Sequence, residues 1–498
     1  MATPITKPHA AMFCSPGMGH LVPFFELAKR FVTQLDFQVT IFVLSITDAS
    51  TIRSHQFLHS ASNLFNIVSL PPVDISGLVD TPFIGTKIAM MMHQSLPALR
   101  SAISEMTSTS TSSDLPPVTA LIVDIFGIEA LAIAEEFRIP KYVFDISSAW
   151  YLATMLYAPT LDVKVLDEHA NKKLPIKIPG CTTLHFEDTH DVFEDPNSPA
   201  RSRFLCRGKE ASTADGFLVN TWEDLEPKTL KALRDTKLLG SIIRGPVYPV
   251  GPMAIPVGPT PPPQPVSRRS HVLDWLDLQP TESVIYVSFG SGGTLSAKQT
   301  IELAYGLELS QQRFVWLVRA PVENDASGSY LTVGNDDRAG NIISDYLPDG
   351  FLSRTYNVGL VVPTWAPQTE ILGHPSIGGF LSHCGWNSSI ESIVNGVPMV
   401  AWPFYADHKL TAAMLTEEFG VAIRLKVSSS SNGVVGREEV KMMVRRIMVD
   451  EEGHSIRSRV KELKHSARKA LSEGGTSYCS LSQVAKDCQI RLQAYSDL

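Results

Sequence analysis

Residues 365–408 read WAPQTEILGHPSIGGFLSHCGWNSSIESIVNGVPMVAWPFYADH. At their centre an apolar run, 378–382, stops at His383-Cys384-Gly385-Trp386-Asn387-Ser388, and helical patterning follows through Glu391 and Val394. A continuously apolar strand that passes through a short polar turn into a helix is the repeating unit of a parallel sheet covered on both faces. The junction also has a chemical consequence. Backbone N–H groups are exposed where the helix begins and its dipole is positive, which makes a site for phosphate. Asn387 and Ser388 add side-chain donors there, and His383 can add a third. Trp365, at another strand end, offers a flat face to a base, and Glu391, one turn into the helix, can accept ribose hydroxyls. Taken singly, each residue has an ordinary alternative, a packing tryptophan or an N-cap. Their combination in one segment is what carries weight.

The same alternation extends outward. Downstream, 399–402 reads as a strand; upstream, 283–289, 314–319 and 360–363 read as strands and 299–310 as a helix. Near the N-terminus, the apolar run 10–15 ends in Ser15-Pro16-Gly17-Met18-Gly19 and leads into an amphipathic helix over 21–32. Strands are expected over 37–44, 118–125, 141–144 and 216–220, with a helix over 128–137. The Pro-rich stretch 252–265 can join neither a helix nor a central strand and reads as a semi-rigid connector. Residues 324–341, rich in Gly, Asp and Ser, read as an exposed insertion loop, and 437–498 is charged and helical in pattern. The expected architecture is α/β, with two facing doubly wound, Rossmann-like domains built on parallel sheets. They are expected over 1–252 and 272–480, joined by a linker over 253–271, with a final helix over 481–498 packing back on the first domain. Ligands in such folds sit at the carboxyl ends of strands, so an interdomain cleft is the expected site.

A chain of 498 residues is too long for one ordinary core and suits two domains. With 44% hydrophobic and 19% charged residues it describes packed globular protein rather than disorder. A net charge of -8 argues against nucleic acid or an anionic membrane as the main partner. No uninterrupted apolar run is long enough to span a bilayer, and 1–8 lacks a secretory pattern, so the expected location is cytoplasmic. The six cysteines show no metal-ligand spacing and are expected to be buried free thiols. Asp336-Asp337 falls in the insertion loop and is expected to be solvated; no metal site is expected.

The box resembles the signature segment of plant secondary-product UDP-dependent glycosyltransferases, which have the GT-B fold. The resemblance extends over essentially the whole chain, through PGMGHLVP (16–23), VDIFG (123–127), VNTWEDLE (219–226) and VSFGSGGTLS (287–296). VSFGSGGTLS together with GLVVPTWAPQ (359–368) is most similar to the branch acting on hydroquinone, monolignols and other small phenolics. The resemblance implies that Trp365 stacks on uracil, with Ala366 and Gln368 holding base and ribose and Glu391 taking the ribose hydroxyls. It implies that Ser291, His383, Asn387 and Ser388 hold the diphosphate. Asp407, His408 and Trp386 would grip the sugar, with Ser148 nearby. The UDP-sugar is then a co-substrate and no other cofactor is expected; the partners are small molecules and the enzyme is expected to be a monomer.

His20 follows a Gly-rich turn and opens the first helix; Asp124 ends an apolar strand and is expected at the same sheet edge. Inverting transfer needs a base to take the acceptor's proton and a carboxylate to orient it, roles the resemblance implies for His20 and Asp124. Each also has an ordinary alternative as a helix cap. Glu26 reads as solvated helix surface, and Glu129 is left open. Acceptor contacts are expected from Met91, Ile125, Phe126, Trp150, Tyr151 and Phe186, each of which could equally be core. The family's box usually ends in Gln; here it ends in Asp407-His408, a departure that accompanies galactose or arabinose preference in some relatives. UDP-glucose is placed first as donor, with UDP-galactose or UDP-arabinose as alternatives. A nucleotide-sugar epimerase or hydrolase would need further acid/base groups, and an inactive binding protein would not need His20 and Asp124.

Overall fold

A computed structural model describes residues 7–44, 64–73, 84–107, 116–254, 270–323, 343–363, 365–425 and 433–496, with side chains through 490. The insertion loop with Asp336-Asp337, and most of the Pro-rich connector, lie outside the described residues. The chain forms two compact units, Met1–Phe186 with Asp191–Gly258 and Lys469–Leu498, and Glu187–His190 with Pro259–Arg468.

The first unit is built on a seven-stranded sheet in the order β3-β2-β1-β4-β5-β6-β7. Its strands are β1 (His9–Cys14), β2 (Gln38–Leu44), β3 (Asn66–Leu70), β4 (Ala120–Asp124), β5 (Lys141–Asp145), β6 (Gly216–Val219) and β7 (Val247–Pro249). Every pairing is parallel. Its main helices are α1 (Met18–Leu35), α2 (Ile84–Thr107), α3 (Leu131–Glu136), α4 (Ala149–Tyr157), α5 (Val163–Lys172), α6 (Pro199–Ala211) and α7 (Pro227–Arg234). All residues of β1, β4, β5 and β6 are buried, as continuously apolar strands require when helices cover both faces. One core cluster joins Phe24 and Phe31 of α1 to Phe144 of β5, and each such ring contributes roughly 1.5–3 kcal/mol of burial free energy.

The second unit has a six-stranded parallel sheet in the order β10-β9-β8-β11-β12-β13. Its strands are β8 (Val284–Ser288), β9 (Arg313–Val318), β10 (Gly359–Pro363), β11 (Ile377–Ser382), β12 (Met399–Ala401) and β13 (Ala422–Arg424). Helices α8 (His271–Asp277), α9 (Ala297–Ser310), α10 (Phe351–Thr355), α11 (Gln368–Leu372), α12 (Trp386–Asn395), α13 (His408–Ala413) and α14 (Arg437–Met448) surround it. Helix α15 (Glu451–Leu471) leads to α16 (Thr476–Ser496), whose Leu481, Val484 and Cys488 lie in the core of the first unit.

Three readings of the sequence need correction. Glu26 is not solvated surface. Its side chain is only 11% exposed, and it accepts from Arg30 Nε at 3.3 Å. Arg30 is itself buried, donating to the carbonyls of Val250 and Pro252. The thiols are all free, but only Cys14, Cys384 and Cys488 are buried; Cys181 is partly exposed, and Cys206 and Cys479 are exposed. The helix expected over 128–137 begins as a 3-10 turn (Ile128–Ala130) before α3, because Asp124 Oδ1 takes the N–H groups of Phe126 and Gly127 and tightens the entry.

Candidate functional site

In each sheet the strand order reverses at one place, and the polar segments of the sequence fall there. Strand β1 lies between β2 and β4, so the turn that carries His20 and the end of β4 that carries Asp124 meet at one edge. Strand β8 lies between β9 and β11, which brings the 289–293 loop beside the 383–388 segment. Such reversal points are where open α/β sheets bind ligands.

In the first unit, β1 and β4 are in register from Ala10 with Ala120 to Phe13 with Val123, which sets Ser15 beside Asp124. Asp124 is completely buried, and its carboxylate is saturated. Oδ2 accepts the N–H of Ser15 at 2.9 Å, the hydroxyl of Ser15 in a short bond, and His20 Nδ1 at 3.1 Å. Oδ1 takes the N–H groups of Phe126 and Gly127, each at 3.0 Å. Burial by itself would raise this carboxyl, but the hydrogen bond and charge of His20 and the bonds from Ser15 outweigh it and hold Asp124 below the usual carboxylate range. An ionised Asp124 fixes the imidazole proton on Nδ1, which also lies 2.8 Å from Ser15 Oγ. Nε2 makes no hydrogen bond among the described residues, so its lone pair is available to a substrate hydroxyl. Phe126 packs on the imidazole at 5.2 Å.

The other residues singled out in this unit are placed less directly. Met91, Trp150 and Tyr151 are buried, Tyr151 lying edge-on to Phe204. Ile125 is buried beside Phe126 in sequence, and Phe186 packs against His169 with the Lys173 ammonium over its face. Ser148 caps α4, its hydroxyl accepting the N–H of Tyr151 at 3.0 Å. Glu129 is half exposed and bonded to His93.

In the second unit, His383 is inserted between two loops. A Cβ on Gly290 would lie 2.4 Å from its Nε2, and one on Gly385 2.5 Å, so both positions exclude larger residues; Gly290 also has φ 74°. Burial first, and the Arg319 charge second, push His383 down to about 3, leaving it neutral at physiological pH. Arg319 Nη1 ties the 289–293 loop together by donating to the carbonyls of Gly290 and Gly293. Ser291, partly buried, lies in that loop.

Helix α12 starts at Trp386, so Asn387 and Ser388 occupy its first turn. Gln368 Nε2 donates to Ser388 Oγ at 3.0 Å and to Glu391 at 2.7 Å, joining three of the expected residues in one cluster. Burial pushes the Glu391 carboxyl up to about 7 against the lowering effect of Gln368. Trp365 follows β10 and is 57% exposed, while Ala366 is buried. Trp386 is buried, its ring 6.5 Å from Phe419. Asp407 stands at the N-terminal boundary of α13 without a side-chain capping bond, and the ring of His408 lies 4.8 Å from that of His383.

Four residues were missed from the sequence. Ser15 bridges the His20–Asp124 pair, and its place immediately after a strand was the available signal. Arg319 holds the 289–293 loop through the carbonyls of Gly290 and Gly293. Glu226 is buried and takes the N–H groups of Ala149 and Trp150 at 3.0 Å, fixing the start of α4. Arg207 stands over the Phe126 ring with its guanidinium carbon 4.8 Å from the centroid. Among the described residues no group of three or more His, Cys, Asp or Glu side chains could hold a metal ion, and no helix is long and apolar enough to cross a membrane.

Two units, each a doubly wound parallel sheet with one strand-order reversal, have the architecture of the GT-B class of glycosyltransferases. The chain belongs to the UDP-glycosyltransferase family, within its plant secondary-product branch, and it is a UDP-glycosyltransferase. The family model described as UDP-glucoronosyl and UDP-glucosyl transferase matches residues 270–451. The chain is 50% identical to UDP-glycosyltransferase 72E1 of Arabidopsis thaliana over 495 residues, 98% of each chain. It is 42% identical to the hydroquinone glucosyltransferase of Rauvolfia serpentina over 483 residues, 96% of this chain and 97% of that one. The solved structure of a Phytolacca americana glycosyltransferase complexed with UDP-2-fluoro-glucose and pterostilbene aligns over 97% of this chain and 100% of its own, with a TM-score of 0.82 and 36% identity.

Proposed function

We propose that the protein transfers glucose from UDP-glucose to a hydroxyl of a small plant phenol, with inversion at the anomeric carbon and His20 as general base. The observation that carries this is the His20–Asp124–Ser15 arrangement, in which Nδ1 is held by an ionised carboxylate and a hydroxyl while Nε2 is left without a protein partner. In the step, Nε2 takes the acceptor's hydroxyl proton as that oxygen attacks the anomeric carbon. The bond from the anomeric carbon to the phosphate oxygen breaks, its electron pair leaves with UDP, and Asp124 stabilises the imidazolium. The first unit, on this account, receives the acceptor and the second the UDP-sugar.

The leaving diphosphate would meet neutral donors at the start of α12, namely Asn387, Ser388 and His383, with Ser291 and the Arg319-braced loop opposite. Trp365 would stack on uracil, flanked by Ala366 and Gln368, and Glu391 would bind the ribose. Asp407, His408 and Trp386 would select the sugar. Both the Rauvolfia relative, a hydroquinone glucosyltransferase, and the Phytolacca structure, with a fluoroglucose donor and a stilbene, support glucose and a phenol. One observation favours a second donor. The box ends in His408, whose ring packs on Tyr405 at 4.5 Å and whose Nδ1 accepts the Tyr405 N–H at 3.4 Å, a hydrogen-bonding pattern unlike that of an amide with two donors and two acceptors, so UDP-galactose or UDP-arabinose is the alternative. Incubation with each UDP-sugar and a panel of phenols, followed by mass spectrometry, tests the function; isomerised UDP-sugar without a glycoside would indicate an epimerase instead.

A further inference from the structure

Arg207 lies near the His20–Asp124 pair, and the proposed transfer leaves its chemistry unused. It lies on α6 next to Gly208, where a Cβ would come within 2.1 Å of the Met155 carbonyl oxygen. That contact presses α6 against α4 and fixes the direction in which the neighbouring arginine leaves the helix. Its guanidinium carbon stands 4.8 Å from the Phe126 ring centroid, and the same ring lies 5.2 Å from the His20 imidazole. Guanidinium and imidazole are therefore no more than about 10 Å apart, with one aromatic plate touching both.

A partly buried arginine is ordinarily satisfied by a carboxylate or by carbonyls. Arg207 forms no hydrogen bond and no ion pair among the described residues; the Phe126 ring is its only side-chain contact of that kind. Its acidic neighbours are committed elsewhere. Asp124 spends both oxygens on Ser15, His20 and two backbone N–H groups, and Glu129 is bonded to His93. The carboxyl of Glu210 is raised by burial and then by the charge of Glu129, and it makes no bond to Arg207. Burial disfavours the charge on Arg207 while Tyr151, Asp124, Glu129 and Glu210 act to retain it, so the site holds a desolvated cation without a hydrogen-bonded counter-ion.

Given the transferase function proposed above, on which this rests, we propose that Arg207 is an acceptor-specificity residue that selects phenolic acids, binding the carboxylate while the phenol hydroxyl meets His20. The acceptor ring then lies alongside Phe126, the ring that both groups touch. A planar guanidinium suits this task because it binds a carboxylate in bidentate fashion.

The test compares 4-hydroxycinnamate with its methyl ester, which has the same ring and hydroxyl and no charge, using UDP-glucose as donor. In the wild type the acid is the better substrate by kcat/KM. In Arg207→Met the acid-to-ester ratio falls about ten- to a hundredfold, the range for one charge-assisted hydrogen-bonded pair, and Arg207→Lys recovers part of it. A ratio unmoved by Arg207→Met overturns the assignment, as does a wild type that prefers the ester. A wild-type measurement keeps the test independent of the variants' folding: 4-methoxycinnamate, which cannot accept sugar, must inhibit transfer at lower concentration than its methyl ester, and equal inhibition overturns the proposal. Transfer to neither phenol by the wild type would overturn the proposed function itself, which distinguishes that failure from this one.

Discussion

Replacing Ser15 by alanine removes one hydroxyl that touches both members of the proposed catalytic pair. Its Oγ lies 2.8 Å from His20 Nδ1 and donates to Asp124 Oδ2. A buried hydrogen bond to a charged group is worth about 1.5–3 kcal/mol, but the direct contact of His20 with Asp124 at 3.1 Å and the Ser15 N–H bond at 2.9 Å survive the substitution. The net loss of transition-state stabilisation is therefore about 1–2 kcal/mol, or about 5- to 30-fold in kcat. Neither the acceptor nor the donor touches Ser15 in this scheme, so KM for both should move much less than kcat. A pH dependence accompanies the rate. The folded Asp124 carboxyl is held below its unfolded value of 3.8, so it stabilises the fold above about pH 4, and that stability is lost as pH falls through the lower folded value. Ser15→Ala weakens the lowering, so the variant should unfold at a higher pH on acidification than the wild type. Steady-state kinetics with UDP-glucose and one phenol, together with an acid titration of the circular dichroism signal, measure both effects. Wild-type kcat with an unchanged acid midpoint would refute the claim that Ser15 holds the pair.

Other perturbations follow from the second unit and the donor end of the box. Trp365→Ala should weaken UDP binding by about 1–3 kcal/mol, the range for base–aromatic stacking, as measured by titration calorimetry. Because burial pushes Glu391 up to about 7, the affinity for UDP-glucose should strengthen as pH rises through that value and the carboxylate forms to accept ribose hydroxyls; Glu391→Gln should flatten the dependence. His408→Gln should shift the UDP-glucose to UDP-galactose ratio of kcat/KM towards glucose by about 5- to 30-fold, and a ratio unmoved by the change would remove His408 from donor choice.

The inner strands were legible in the sequence because both of their faces are buried and their runs are continuously apolar, as in β1, β4, β8 and β11. Of the four edge strands only β10 was: in β3 Asn66 and Ser69 are exposed and Ile67 and Val68 only partly buried, and β7 and β13 are three residues long, too short for a periodic signal. His20, Asp124 and the box stood out because a polar residue at the end of an apolar strand is visible locally. The missed residues act across long separations that no local pattern reports. Ser15 bonds Asp124 over 109 positions, and Glu226 caps α4 from 77 positions away. Glu26 was misread for the same reason, since its partner Arg30 is buried by carbonyls of Val250 and Pro252 more than 200 positions on.

The most direct measurement of the central claim is the pairing of product formation with UDP binding in His20→Ala. Wild-type protein with UDP-glucose and a weakly acidic phenol should yield the β-glucoside and UDP. The variant should bind UDP with the wild-type Kd, since the second unit is untouched, while its turnover falls by about 10²- to 10⁴-fold. An easily ionised acceptor such as a nitrophenol should lose less, because its proton is already weakly held. Wild-type turnover by His20→Ala on the weakly acidic phenol would contradict the account, whatever the variant's affinity for UDP.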